Sequence, residues 1–325
     1  MNVLSFIIIA RNQVRTVLAS LDSAFRAART TGLASFEVIY VDSNSTDGTV
    51  DMVEARFGPS VRVARLTGEM NAGIARNVGA KIATGRSLFF VDGDMELDPG
   101  FLRAALNSRG ELIHPLITGQ LPEKLYDAGG QPIGEAVDRY RIRQRHHRAE
   151  LGGVFLIDRG LFQNIGGFAP ELRCNEDLDL GLRLAQMGTL ALAIDRPIAL
   201  HHTIEYLQWN RLLPMIRNGS LLYPGVLFRR HFANRRYLRM FASHQRPTLV
   251  LLGSLTLATL VHPAWGLVYL GYVAAKNLRR SHTSFAHDLA GTTARSICFL
   301  AGTVGFFPRR VPAESITFSL LPRPA

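Results

Sequence analysis

Cysteine is scarce in this chain, and its first residues do not have the pattern expected of a secretory leader. Only Cys174 and Cys298 occur in 325 residues. Two cysteines cannot form the disulfide framework of a small secreted domain, and so low a number suits a reducing compartment. The first ten residues contain an apolar run of only about seven residues with no basic segment before it, which is too short for a signal peptide and is typical of a first strand. We therefore expect a protein that is not secreted.

Acidic residues are fewer than basic ones: the chain contains 26 Asp and Glu and 37 Lys and Arg, which gives a net charge of +11. Such an excess is compatible with nucleic acid, an anionic membrane or phosphorylated substrates as partners. The basic residues concentrate in 139–148 and 211–246, and neither segment has the interleaved aromatics of a base-stacking surface. Because the second segment precedes a long apolar stretch, the pattern favours a membrane surface and no nucleic acid.

A glycine-rich phosphate turn is also missing after the first apolar run. The sequence there is Ile9-Ala-Arg-Asn-Gln-Val14, without Gly-x-Gly-x-x-Gly, which argues against a dinucleotide-binding Rossmann domain. Apolar runs of strand length nevertheless alternate with stretches of helical period. The pattern predicts strands over 5–10, 36–41, 61–66 and 88–91, separated by helices over 16–29, 49–56 and 72–83. We expect an α/β fold with a mainly parallel sheet flanked by helices, and ligands at the carboxyl ends of the strands.

Carboxylates stand where the second and fourth predicted strands end. Asp42 follows the second, and Asp92 and Asp94 follow the fourth. Two carboxylates at a buried strand end must be desolvated and repel each other, a cost that a divalent cation removes. Oxygen ligands suit Mg²⁺ or Mn²⁺, which commonly bridge carboxylates to substrate phosphates. Solvated loop aspartates are the alternative, since Asp177 and Asp179 have the same spacing.

Five motifs together resemble the family 2 glycosyltransferases of the GT-A fold. They are Val41–Thr49 (VDSNSTDGT), Asn71–Gly79 (NAGIARNVG), Asp92–Asp94 (DGD), Gly166–Phe168 (GGF) and Asn175–Asp179 (NEDLD). They occur in the order and at the separations usual for that family and cover roughly residues 3 to 205. The opening loop Ile9-Ala-Arg-Asn12 departs from the usual pattern, which loosens the assignment of base contacts there.

The resemblance implies a nucleotide site. Ala10 and Asn12 would lie beside the nucleotide, and Asp42 would hydrogen-bond its base, most often uracil. The alternative for Asp42 is a turn aspartate that caps the following helix. Arg76 would lie near the diphosphate, where a cation is physically reasonable; a solvated helix arginine is the other interpretation.

The resemblance also implies a metal site and a general base. Asp92 would contact the ribose or the metal, and Asp94 would bind the Mn²⁺ or Mg²⁺ ion that bridges the diphosphate. Asp177 would take the proton of the acceptor hydroxyl, with Glu176 as the second candidate. Asn175 is a good N-cap residue, so first-turn acids that complement the helix dipole are the alternative.

Two further segments leave their roles open. Some GT-A enzymes use a histidine near His201-His202 as a metal ligand, but adjacent residues on a strand point to opposite faces. Residues 118–150 are polar and punctuated by glycine, which suggests a mobile loop over the acceptor site. The basic residues 139–148 within it would either hold a phosphorylated acceptor or form an exposed helix face.

The C-terminal part differs in composition. Residues 208–241 mix apolar and arginine-rich positions, as interfacial helices do, and Pro214 and Pro224 should break them. Residues 249–275 are almost wholly apolar, but His262-Pro263 divides them into halves too short to span a bilayer. Basic residues on both sides favour a hairpin that dips into the membrane from the cytoplasmic face. A single span or a buried hairpin in a dimer interface stays open, as does the oligomeric state.

The sequence thus predicts two domains, a GT-A catalytic domain over 1–205 and a helical, membrane-associated region over 206–325. The expected function is metal-dependent transfer of a sugar from a nucleotide-sugar, in first place a UDP-sugar, with inversion. The acceptor would be a glycan or a lipid-linked molecule in glycan or exopolysaccharide assembly. The motif Gln-x-x-Arg-Trp of processive synthases is absent, since Gln208-Trp-Asn-Arg211 has another order. Alternatives are a sugar nucleotidyltransferase and a non-catalytic sugar-nucleotide-binding scaffold at the membrane.

Overall fold

The computed structural model describes residues 3–127, 129–138, 140–204, 209–278 and 284–321, without the side chain of Asn210. The contacts between residues divide the chain into two compact units. The first comprises 1–126, 131–203 and 309–325, and the second comprises 127–130 and 204–308. The domain limits expected from the sequence, 1–205 and 206–325, stay a prediction.

The first unit is a mixed α/β structure. Its elements in chain order are β1 (Leu4–Ala10), α1 (Val17–Thr31), β2 (Phe36–Asp42), α2 (Thr49–Phe57), β3 (Val61–Leu66), α3 (Ala72–Ile82), β4 (Ser87–Asp92), β5 (Met95–Leu97), α4 (Pro99–Ala105), β6 (Leu116–Gln120), β7 (Pro122–Tyr126), β8 (Pro132–Asp138), β9 (His146–Arg148), β10 (Phe155–Asp158), α5 (Arg159–Asn164), α6 (Glu176–Gln186), β11 (Ala191–Pro197), β12 (Ala199–Ile204) and β13 (Phe318–Leu320). The four strands and three helices predicted for the first 91 residues are all present, with ends that differ by at most two residues.

The large sheet has nine strands in the order β13-β3-β2-β1-β4-β10-β6-β11-β9. Its centre, β3-β2-β1-β4, is parallel, whereas β10 runs antiparallel to β4. In this register Ala10 lies beside Asp42 on one side, and Ile9 lies beside Asp92 on the other. The parallel pairing therefore brings the acidic ends of β2 and β4 to the same edge of the sheet.

Apolar side chains fill both faces of this sheet, as the continuous apolar strands require. Every residue of β1 is buried. Helix α3 packs against β1 and β2, and at Gly79 it comes so near that a Cβ atom would overlap the side chain of Ile7. The close approach of α3 matters for the site because this helix carries Arg76.

A second, four-stranded sheet, in the order β5-β12-β7-β8, contains part of the segment that the sequence suggested was a mobile loop. The expectation of an irregular loop over 118–150 is wrong, since β7 and β8 form an antiparallel pair and β9 pairs with β11. Strand β8 is largely exposed and therefore lacks the apolar alternation by which strands are recognised. The helix face proposed for 139–148 is wrong as well: Arg148 lies on β9 and stacks on Tyr140, while Arg139 lies outside the described residues.

The second unit is helical. It contains α7 (Trp209–Arg217), α8 (Tyr223–His231), α9 (Arg235–His244), α10 (Arg246–Leu260), α11 (Gly266–Asn277) and α12 (Phe285–Val304). The predicted division of the apolar stretch at His262-Pro263 is confirmed, because α10 ends before it and α11 begins after it. Pro224 occupies the first turn of α8, where a proline needs no amide hydrogen. The break expected at Pro214 is wrong, since α7 continues through that residue.

In the part of the chain that the structure describes, no helix combines the length and the apolar character needed to cross a membrane.

Glu37 connects the large sheet to the segment between α3 and β4. Its Oε1 atom accepts hydrogen bonds from the Ser5 hydroxyl (2.6 Å), the Thr84 amide (2.6 Å) and hydroxyl (2.8 Å), and the Gly85 amide (3.2 Å). Burial acts to raise the pKa of Glu37, but these hydrogen bonds outweigh it and lower the pKa below its ordinary value.

We expect Glu37→Ala to lower the free energy of unfolding by about 1–3 kcal/mol at neutral pH, because several donors lose their acceptor. Glu37→Gln keeps an acceptor oxygen but loses the charge. A lowered pKa means that the charge stabilises the fold above the unfolded-state pKa, and that this stability is lost as the pH falls through the folded-state pKa. Urea unfolding should therefore separate wild type from Glu37→Gln at neutral pH and bring them together in acid. A constant difference would contradict the assignment.

Candidate active site

The carboxyl edge of β1, β2 and β4 gathers the residues expected to bind a nucleotide. Asn12, just after β1, has a left-handed backbone conformation with φ of 53°. Its amide donates to the Ser45 hydroxyl (2.9 Å), and its side-chain oxygen accepts from the Thr46 amide (2.9 Å). The carbonyl of Ala10 accepts from the Ser43 amide at 2.9 Å. Ala10 and Asn12 thus connect the loop after β1 to the loop after β2.

Asp42 is completely buried at the end of β2. Its Oδ1 accepts from the Tyr40 hydroxyl at 3.0 Å, and its Oδ2 accepts from the Ser45 amide at 2.8 Å and lies 3.7 Å from Arg65 Nε. The carboxylate therefore closes the turn after β2, while the first amide of α2, that of Thr49, bonds to Asp47 instead. A contact between Asp42 and a base stays a prediction, and it would require Asp42 to exchange one of these partners.

The Asp92-Gly93-Asp94 turn packs directly on the end of β1. The Gly93 amide donates to the Ile9 carbonyl at 2.8 Å, and a Cβ atom at position 93 would lie 2.7 Å from Cβ of Ala10. Only glycine allows this approach without a shift of the backbone. The close contact is the physical reason why a glycine separates the two aspartates.

Arg76 is the centre of the site. It is only 1% exposed, and its guanidinium binds Asp92 Oδ1 through Nη2 and Glu176 Oε1 through Nη1, both at 2.6 Å. The interpretation of Arg76 as a solvated helix arginine is therefore wrong. A single arginine joins the DGD turn to the first residue of α6, two segments separated by more than 80 positions.

Burial and charge act together on the ionisation of these three groups. Burial raises the pKa of Glu176 and, with the negative charge of Asp177, outweighs the opposing effect of Arg76, so that the pKa reaches about 7. Burial also raises the pKa of Asp92, against the effect of Arg76. Burial alone would lower the pKa of Arg76, but Asp92 and Glu176 raise it above its ordinary value. Arg76 therefore stays charged and is shared by two carboxylates.

Gly153 leaves the space that this arrangement needs. A Cβ atom there would overlap Oδ2 of Asp92 and would lie 3.2 Å from Nη2 of Arg76. The structure shows that Gly153 brings the backbone close to the Asp92–Arg76 pair.

Asp177 lies next to Glu176 in the first turn of α6 and remains partly exposed. Its charge acts on both Arg76 and Glu176, so it belongs to the same group of charges as Asp92. The N-cap expectation for Asn175 is half right: α6 begins after it, but its side chain makes no capping hydrogen bond, and its φ is 60°. The role of Asp177 as general base stays a prediction.

Asp179 has a structural role, although its spacing from Asp177 matches that of Asp94 from Asp92. It is fully buried, and its Oδ2 binds Nε of Arg183 at 2.8 Å. Arg183 in turn donates to the carbonyls of Ile165 (3.0 Å) and Gly167 (2.7 Å). Asp179 thus holds the Gly166-Gly167-Phe168 turn in place.

Asp94 faces the second sheet. His201 Nε2 lies 3.6 Å from Asp94 Oδ2, and its Nδ1 lies 3.2 Å from Glu123 Oε1. Burial lowers the pKa of His201, but the hydrogen bonds to Asp94 and Glu123 outweigh it and raise the pKa to about 9. His202 points the other way, toward Glu96 (3.1 Å) and Tyr126 (2.9 Å), as alternation along a strand requires.

The DGD turn provides the side-chain donors for the expected metal site. Among the described residues, no group of three or more His, Cys, Asp or Glu side chains is arranged to hold a metal. Asp92 and Asp94 supply two carboxylates at one turn, a number that suits Mg²⁺ or Mn²⁺ when substrate phosphates and water complete the coordination. The donor set therefore fits a cation that binds together with a diphosphate.

Sequence reasoning missed two contributors to the site. Glu123 lies on β7, in the segment taken for a loop, and no pattern there marks it as a partner of His201. Phe168 lies with its ring 5.3 Å from the Arg76 guanidinium. The GGF motif pointed to Phe168, but its contact with Arg76 could not be derived from spacing.

The shared arginine leads to a stability prediction. We expect Arg76→Met to lower the free energy of unfolding by about 3–5 kcal/mol at neutral pH, because the buried Glu176 and the partly buried Asp92 lose their shared cation. The deficit should shrink as the pH falls and those carboxylates take up protons. Urea unfolding at several pH values measures both effects.

Arg56→Met is the matched control, because Arg56 is largely exposed, forms an ion pair with Asp22 at 3.7 Å and lies 5.9 Å from the Phe57 ring. It should cost under about 1 kcal/mol. Equal losses in the two variants would show that the buried pairs do not hold the site together.

Known proteins share the part of the chain that carries Arg76 and the DGD turn. Residues 5–165 match the family model described as Glycosyl transferase family 2. An uncharacterized glycosyltransferase of Haemophilus influenzae is 29% identical over 191 residues, which is 56% of this chain and 62% of that protein. The succinoglycan biosynthesis protein ExoO of Rhizobium meliloti is 33% identical over 99 residues, 30% of this chain and 27% of that protein.

A third relative is the dolichol-phosphate mannosyltransferase of Mycosarcoma maydis, 34% identical over 88 residues, 26% of this chain and 30% of that protein. The chain spans less than two thirds of the length of each of these three relatives. The matched segment contains β1 to β4, α3 with Arg76, and the DGD turn. Through residues 5–165, the chain belongs to the family 2 glycosyltransferases.

Proposed function

We propose that the protein transfers a sugar from a nucleotide-sugar, a UDP-sugar in first place, to a hydroxyl of a glycan or lipid-linked acceptor. The reaction would proceed by direct displacement with inversion at the anomeric carbon. The observation that carries the proposal is the Arg76 bridge, which binds Asp92 of the DGD turn and Glu176 beside Asp177 at 2.6 Å each. It supports a single site in which donor and acceptor groups meet.

Each residue has a role in this proposal. Asp92 and Asp94 would hold a divalent cation, which supplies Lewis-acid stabilisation of the leaving nucleoside diphosphate. Arg76 fixes the orientation of Asp92 by a charged hydrogen bond. Asp177, the more exposed member of the Glu176-Asp177 pair, would take the proton of the acceptor hydroxyl. Glu176 suits this role less because its Oε1 is already bound to Arg76.

The choice of acceptor rests on the relatives. One is named for succinoglycan biosynthesis and another for transfer of mannose to dolichol phosphate. The first name describes synthesis of a glycan, and the second describes a lipid phosphate as the acceptor. We extend that class of acceptor to this protein as part of the proposal.

The second unit supports attachment to the cytoplasmic face of a membrane. The turn between α10 and α11 exposes large apolar side chains: Leu260 is 80% exposed, Val261 66%, Trp265 44% and Leu267 64%. Arginines of the preceding helices α7 to α9 would meet anionic headgroups. The hairpin would enter the interface at its tip without crossing the bilayer.

Release of nucleoside diphosphate from a panel of nucleotide-sugars tests the reaction. We expect release from one or a few donors in the presence of manganese, and little after chelation, because the leaving diphosphate then lacks its counter-charge. Restored release on adding back Mn²⁺ or Mg²⁺ is the control. Release of inorganic pyrophosphate from a nucleoside triphosphate and a sugar phosphate would instead identify a nucleotidyltransferase.

The same assay tests the proposal that Asp177 is the general base. Asp177→Asn should lower the rate of transfer by about 10²–10⁴-fold while nucleotide binding is kept, since only the proton acceptor is lost. Asp195→Asn, which alters an exposed carboxylate 4.0 Å from Arg145, is the matched control and should act as wild type. Full activity of Asp177→Asn would exclude this base, and loss in Glu176→Gln alone would move the role to Glu176.

Membrane attachment is tested by substitutions at the hairpin tip. Deletion of the C-terminal part is unsuitable, because β13 pairs with β3 in the first unit. The double variant Leu260→Asp/Leu267→Asp should reduce co-sedimentation with anionic vesicles at least about tenfold, because charged side chains replace apolar area that the membrane would bury. Met187→Asp, at a 56% exposed position of the first unit, is the control. Unchanged sedimentation of the double variant would contradict the proposal.

A further inference from the structure

The second unit contains a cavity that the proposed transfer reaction does not use. Its volume is about 190 Å³, room for several water molecules. Eleven residues, from the turn before α8 to α12, line it: Leu221, Pro224, His244, Gln245, Pro247, Thr248, Lys276, Thr292, Arg295, Ser296 and Phe299. The lining is polar on one side, although the surrounding helices are largely apolar.

The N-terminal end of α10 forms part of the wall. Gln245, at the N-cap position, and Pro247 and Thr248 of the first turn all line the cavity. Gln245 makes no side-chain capping bond, and the first turn contains no acidic residue. The partial positive charge of this 15-residue helix is therefore not balanced by a carboxylate of its own first turn.

A buried hydroxyl in the wall has no partner. Thr292 is 3% exposed, and its Oγ1 makes no hydrogen bond within the part of the chain described here. A buried hydroxyl without a partner costs about 1–3 kcal/mol, so this atom calls for a hydrogen-bond partner in the cavity, either water or a ligand.

Two more hydroxyls lie beside Thr292 on the same wall. Thr248 Oγ1 lies 3.1 Å from Ser296 Oγ and 3.2 Å from Gln245 Oε1. Ser296 donates to the backbone carbonyl of Thr292 at 3.1 Å. The Thr248 and Ser296 hydroxyls are thus hydrogen-bonded within the protein, whereas the Thr292 hydroxyl is not.

The charged groups of the wall all have one sign. Lys276 from α11 and Arg295 from α12 line the cavity, and both also interact with other groups of the protein. No Asp or Glu is among the described residues of the lining. Cations, the Thr292 hydroxyl and a helix N-terminus are groups of the kinds that bind phosphate in proteins.

We propose that this cavity binds a phosphate group, with Lys276, Arg295, Thr292 and the first turn of α10 as its ligands. The phosphate would be carried by a lipid or be free in solution. The lipid source suits the surroundings, because Leu249 and Ile297, the neighbours of Thr248 and Ser296, expose 41% and 57% of their surface. The site is independent of glycosyl transfer.

The test compares cavity variants with a matched control on the full-length protein. The cavity variants are Lys276→Gln, Arg295→Gln and Thr292→Val; the last removes the hydroxyl at nearly constant volume. Arg246→Gln is the control, because Arg246 belongs to the same helix start but does not line the cavity. Tm is measured against inorganic phosphate, with sodium chloride of equal ionic strength to remove general screening.

Phosphate should raise the Tm of wild type and Arg246→Gln more than chloride does. Each cavity variant should need about tenfold more phosphate for the same shift. The proposal is overturned if phosphate and chloride act alike on wild type, or if the cavity variants respond as wild type does. Thr292→Val decides the test where a charge variant fails to fold.

Vesicles distinguish the two sources of phosphate. Phosphatidylcholine vesicles that contain phosphatidic acid are compared with vesicles made equally negative by oleate. Preference of wild type for phosphatidic acid, lost in the cavity variants and kept in Arg246→Gln, identifies a lipid phosphate. Weaker phosphate binding without any change in vesicle binding identifies a free phosphate.

Discussion

Burial of one positive charge is the constraint on which the arrangement of the first unit's acidic site depends. The Arg76 guanidinium is withdrawn from water and must be compensated where it lies, and Asp92 and Glu176 provide the compensation. Because both carboxylates bind the same planar group, the turn after β4 and the start of α6 cannot move independently. Asp177 follows Glu176 in the chain and so shares the position that Arg76 imposes. The geometry of the site is thus set by a group that need not react.

Three glycines and the second sheet also determine where the acidic residues of the site lie. Gly79 lets α3 approach β1, Gly93 seats the DGD turn on the end of β1, and Gly153 leaves room for the Asp92 carboxylate. On the far side of the turn, β5 continues from Asp94 and pairs with β12, which brings His201 to Asp94. The two aspartates of one turn therefore face different partners: Asp92 an arginine of α3, and Asp94 a histidine of the second sheet. This division leaves both carboxylates near the same turn for a cation that arrives with a diphosphate.

The second unit has two different kinds of surface at the two ends of α10. The α10–α11 turn exposes large apolar side chains, while the start of α10 and part of α12 line a basic cavity. The 15 residues of α10 place these two ends about 20 Å apart. The two proposals for this unit, attachment to a membrane and binding of phosphate, rest on separate observations and can fail separately.

The sequence by itself determined the strands β1 to β4, the helices between them and the division of the apolar stretch at His262-Pro263, because periodicity and turn residues are local signals. It also determined the family, since several motifs recur in order. Only the tertiary structure decided which acids work together. Asp92-Gly-Asp94 and Asp177-Leu-Asp179 have the same spacing, yet Asp179 is used by Arg183 and Asp92 by Arg76. Spacing along a chain does not state which side chain of another element will face a carboxylate, and that neighbour decides whether its charge is structural or available for chemistry.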